Sequence, residues 1–89
     1  MSPDFSLENL NAFIVQAKAA TYVGDGEKAE SCRPGSHDLI FEKVPFFYLD
    51  SYFGGTDFIG QEVVYYKGKP VWAMNYYGRI LQPDLITPA

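Results

Sequence analysis

Basic residues are scarce in this chain, seven lysines and arginines against eleven aspartates and glutamates, and they nowhere cluster. The formal charge of -4 and the pI near 4.7 exclude direct nucleic-acid binding, which rests on cationic contacts and released counterions. Cysteine is scarcer still, and a lone Cys32 excludes an internal disulfide framework. One histidine and scattered carboxylates fix no metal-ligand spacing, so neither metal nor cofactor is expected. No apolar run approaches bilayer length, and the opening MSPDFSLENL carries acids where a signal peptide has bases. The expectation is a cytoplasmic protein with no membrane partner.

What the chain has is aromatic surface. Aromatics make up 17% of its 89 residues, seven of them Tyr, and rings with a polar tip suit half-wet interfaces and pockets. The length predicts a single domain over 1–89, with tails at 1–5 and 82–89. After Ser6, a good N-cap, the residues Leu7, Leu10, Phe13, Ile14, Ala17 and Ala20 recur at three-and-four spacing, which predicts a helix over 6–20. Residues 21–36 are rich in Gly, Ser and charge and read as a loop; Gly24-x-Gly26 follows a helix and is a turn, not a dinucleotide loop.

From 37 to 81 the pattern is that of an antiparallel sheet. A short strand at His37–Val44 precedes FFYLDSYFGGTDFIGQEVVYYKGKPVWAMNYYGRIL, whose β-branched and aromatic residues break only at Gly54-Gly55 and Lys67-Gly68. The fold class expected is α+β, an N-terminal helix packed on a four-stranded antiparallel meander. A two-residue turn at Lys67-Gly68 pairs Val64 with Val71, Glu62 with Ala73 and Gly60 with Asn75. An odd-length loop at Gly54-Gly55 keeps Asp50 off the face of Phe47, Leu49, Phe53, Ile59, Val63, Tyr65, Trp72, Met74 and Tyr76, which then reads as the helix-covered core.

The other face carries Phe46, Tyr48, Asp50, Tyr52, Phe58, Gly60, Glu62, Val64, Val71, Ala73, Asn75 and Tyr77. It is too aromatic for a solvated face and too polar for a dry core. Gly60 and Ala73 leave room for something to rest there, so it is either a pocket floor or a surface on which a second copy packs.

The segment SCRPGSHD offers a thiol, a guanidinium, a hydroxyl, an imidazole and a carboxylate. A Cys32 nucleophile would need a base in reach and a third orienting group, so the turn-forming reading of Ser36 and Asp38 is the stronger. Arg33 and His37 are expected to close over the polar face and meet Asp50 or Glu62. Those two carboxylates, with His37, are the residues of a hydrolase alternative.

At SCRPGSHDL, YLDSYFGGTDFIGQE and GKPVWAMNYYGRIL the chain resembles an uncharacterised bacterial domain family often attached behind XRE-type, Cro-repressor-like helix-turn-helix regulators, over about residues 9 to 81. Recurring positions of that family include Arg33, His37, Asp50, Gly60, Glu62, Trp72 and Asn75. The resemblance implies a sensor or ligand-binding module more than an enzyme. Members of that family continue with another helix and further strands, which leads to an expectation of a homodimer. The binding residues expected are Arg33, Ser36, His37, Asp38, Tyr48, Asp50, Tyr52, Glu62, Asn75 and Tyr77.

Overall fold

The computed structural model describes residues 5–22 and 27–81. Helix α1, Leu7–Tyr22, starts where the sequence places it. The Ser6 hydroxyl accepts the Asn9 amide at 3.0 Å and donates to Asn9 Oδ1 at 2.8 Å, which satisfies backbone groups the first turn leaves open. The helix runs past Ala20 because Thr21 stays buried and donates its hydroxyl to the Ala17 carbonyl at 3.0 Å.

Five strands follow, not four: β1 Glu27–Ala29, β2 His37–Lys43, β3 Phe46–Gly54, β4 Asp57–Tyr66 and β5 Lys69–Arg79. Each is antiparallel to its sequence neighbour, in the order β1-β2-β3-β4-β5. The unforeseen strand is Glu-Lys-Ala, three residues with no alternation to read. It forms because the edge of β2 offers a ladder, with Lys28 opposite Leu39 and Ala29 opposite Asp38.

The β3–β4 register is the expected one, with Gly54 opposite Phe58, Leu49 opposite Val63 and Asp50 opposite Glu62. The Lys67-Gly68 turn is also as read, both residues at positive φ, 51° and 80°. The β4–β5 register is not. It shifts between Val64 and Tyr65, where Tyr65 faces Pro70 and Val64 faces Trp72, so that one extra residue, Val71, enters β5. Pro70 has no N–H to give a ladder, and bulges are one of the few places a sheet tolerates it. Glu62 therefore faces Met74 and Gly60 faces Tyr76. Ala73, Asn75 and Tyr77 turn to the other side.

The helix also covers the face opposite to the expected one. Leu10, Phe13 and Ala17 are buried with Tyr48 and Val64, and Phe5, Phe41, Phe46 and Trp72 pack around them. The Phe13 ring lies 5.0 Å from Phe46 and 5.8 Å from Phe41. Ile59, read from the sequence as core, is 57% exposed on the uncovered side. The cost of burying Asp50 points to the right β3–β4 alignment but to the wrong covered face, because both carboxylates on this face have partners that offset that cost.

Candidate functional site

Three cross-strand rows build the site on the helix-covered face. The first is Leu39, Asp50, Glu62 and Met74; the second is His37, Tyr52, Gly60 and Tyr76; the third is Gly54, Phe58 and Gly78. Helix α1 lies over β2 and β3. Beyond its end, where Thr21 forms the rim, these rows floor an open cleft of about 610 Å³.

Asp50 and Glu62 stand side by side at its base, 3% and 0% exposed. From β5, two strands away, Tyr76 donates its hydroxyl to Asp50 Oδ1 at 2.6 Å. Its ring must cross β4 to do so, and Gly60 lets it pass. A Cβ at Gly60 would stand 2.7 Å from Tyr52 Cβ and closer still to the hydroxyl end of the Tyr76 ring. Phe58 lies over Gly78 in the same way, where a Cβ would fall 2.6 Å from ring atom Cε2. The space read from the sequence as a vacant Gly60/Ala73 floor is thus filled by a ring, and Ala73 is on the other face.

Charge at the floor is only partly balanced. Lys18 reaches down from the helix to Glu62 Oε1 at 3.3 Å. Burial pushes the Asp50 carboxyl above its ordinary value of 3.8, and the charges of Glu62 and Asp38 push the same way; the Tyr76 hydrogen bond and Lys18 oppose them. A carboxyl with a raised native pKa binds its proton more tightly folded than unfolded. Its contribution to stability is complete below about pH 3.8 and is lost as pH rises through the raised value. Asp50→Asn keeps an acceptor for Tyr76 and removes the charge. We expect it to melt higher than the parent at pH 7, with the gap closing as pH falls toward 4, in thermal scans across that range.

The loop residues assemble elsewhere. Asp38 points to the uncovered face and accepts the hydroxyls of Ser36 at 2.7 Å and Ser51 at 2.9 Å and the Cys32 amide at 3.3 Å. Burial works to raise its pKa, but these bonds together hold the carboxyl below its ordinary value. Arg33 is exposed and borders the uncovered face with Cys32, Leu49 and Ser51, so it does not close over Asp50 or Glu62. The cation that meets the pair is Lys18, from the helix. His37 stacks on Tyr52 at 5.0 Å, at the edge of the cleft. Asn75 accepts Gln61 Nε2 at 2.9 Å on the uncovered face, where Tyr77 is 70% exposed.

Of the expected binding residues, Asp50, Tyr52 and Glu62 thus meet in the cleft with His37 beside them; Tyr48 is sealed in the core, and Arg33, Ser36, Asp38, Asn75 and Tyr77 lie away from it. Sequence reasoning missed Lys18, Thr21, Leu39, Met74 and Tyr76, and for the two β5 residues Pro70 was the readable warning of a bulge. Among the described residues no three of His, Cys, Asp and Glu gather closely enough to hold a metal ion. No described helix is long and apolar enough to cross a membrane.

A family model described as a domain of unknown function (DUF5680) matches residues 50–88, which take in the Asp50 end of β3, all of β4 and all of β5. The match supports an uncharacterised domain family. No curated protein matches the chain, and no solved structure does.

Proposed function

We propose that this chain is a small-ligand-binding module, sensor-like and non-catalytic, whose ligand sits in the cleft over Asp50 and Glu62. The observation that carries the reading is the pair itself: two almost fully buried carboxylates on adjacent strands, at the base of an open cleft of about 610 Å³ walled by Tyr52, Phe58, Met74 and Tyr76. A few convergent polar groups in a largely apolar concavity are what small-molecule sites are made of. A hydrolase using Asp50 and Glu62 is the alternative, favoured by their unlike surroundings, but among the described residues no nucleophile, base and orienter stand together in the cleft. A place behind a bacterial helix-turn-helix regulator belongs to this proposal too, on the sequence resemblance alone.

Self-association is the companion proposal. It is supported by the uncovered face, where Phe47, Leu49, Phe53, Ile59, Val63 and Tyr65 alternate along β3 and β4 with only Ser51 and Gln61 between them and charge confined to Asp57 at the start of β4. An NMR-observed titration with a library of small fragments tests both proposals in one sample. Bound fragments should perturb Tyr52, Met74 and Tyr76, and translational diffusion should report a dimer. Perturbations confined to the uncovered face would sink the cleft reading, and monomer diffusion at millimolar concentration would remove self-association.

A further inference from the structure

We infer that the cleft takes a small organic cation, a protonated amine carried on an aromatic or apolar body; this rests on the cleft being a ligand site. Charge decides the class. Among the described residues, the floor sets two carboxylates, Asp50 and Glu62, against one ammonium, Lys18, and Asp38 adds its field through the sheet from the other side. An anionic ligand would enter against that field, on a floor where low local dielectric screens little. A neutral ligand would leave the excess negative charge where it is. A cation offsets it, and the geometry already shows the contact in miniature, with the Lys18 ammonium 3.3 Å from Glu62 Oε1. Asp50, held on one oxygen by Tyr76, is the carboxylate left for the incoming nitrogen.

The walls agree with the floor. Tyr52, Phe58 and Tyr76 supply aromatic surface, whose ring faces attract cations, and Leu39 and Met74 provide apolar surface for the rest of the molecule. The two glycines matter here because they make room for the hydroxyl end of Tyr76 and the tip of the Phe58 ring on the floor of the cleft.

Three near-isosteric probes test this: phenethylamine, phenethyl alcohol and phenylacetate, titrated against the full chain at pH 7 by NMR, with Tyr52, Met74 and Tyr76 as reporters. The amine should bind at least about tenfold more tightly than the alcohol, as one charge-assisted hydrogen bond predicts. Phenylacetate should bind most weakly. Asp50→Asn should bring the amine down to the affinity of the alcohol, and Glu62→Gln, as a second variant, should reduce the preference in part. Equal binding of amine and alcohol, tighter binding of phenylacetate, or a preference retained in both variants would overturn the cation assignment and leave the cleft standing as a site. Failure of all three probes to perturb those reporters would overturn the cleft reading, and this assignment with it.

Discussion

Gly60→Ala should cost this domain about 2–6 kcal/mol. The added methyl would occupy the track of the Tyr76 ring, which would have to move aside, and press on Tyr52 Cβ, which the β3 backbone holds in place. Overpacking of this kind costs about 1–3 kcal/mol. If Tyr76 swings away, the buried Asp50 oxygen also loses its donor, at about 1–3 kcal/mol more. Urea unfolding gives the number directly. The companion variant Gly55→Ala, where an added Cβ meets nothing within 4 Å, should leave the midpoint almost unmoved. Equal midpoints for the two would mean that Tyr76 does not cross β4.

The second large effect belongs to Phe13. It stacks on Phe46, touches Phe41 and is 4% exposed, so Phe13→Ala should destabilise by about 3–5 kcal/mol. Ile59→Ala, on the uncovered face, should stay within about 0.5 kcal/mol when measured at concentrations low enough to keep the chain monomeric. The two alternations along β4, Phe58-Gly60-Glu62-Val64 and Ile59-Gln61-Val63-Tyr65, are each a plausible core, so this comparison reads out which face the helix covers. The reverse order of effects would place the helix on the other side of the sheet.

Those alternations also show what could be read without coordinates. The helix, its Ser6 cap and the Lys67-Gly68 turn are local properties that spacing and turn chemistry settle, and the β3–β4 alignment follows from the cost of placing Asp50 among the apolar residues of one face. Which face the helix seals is a long-range question. It turned on whether Asp50 and Glu62 could be satisfied when buried, and their partners, Tyr76 and Lys18, lie 26 and 44 positions away in the chain. β5 was lost to a single bulge: the extra residue after Pro70 moved Met74 and Tyr76 onto the cleft and took Asn75 and Tyr77 off it. The site was therefore half legible, with its acids recognised and its ring and ammonium donors assigned elsewhere.

Hairpins are ordinarily the part of a sheet where an inserted or deleted residue does least harm, since the loop absorbs the change. In this hairpin the slack has already been taken up, at Val71, inside the strand. Drawing Val71 back into the ladder, opposite Val64, would turn the rest of β5 over, delivering Ala73 and Asn75 to the cleft and withdrawing the Tyr76 hydroxyl from Asp50. The identity of the pocket is thus stored in whether one residue after the turn is bulged or paired. The same β5 residues, with Val71 in the ladder or out of it, would present different chemistry to the same ligand.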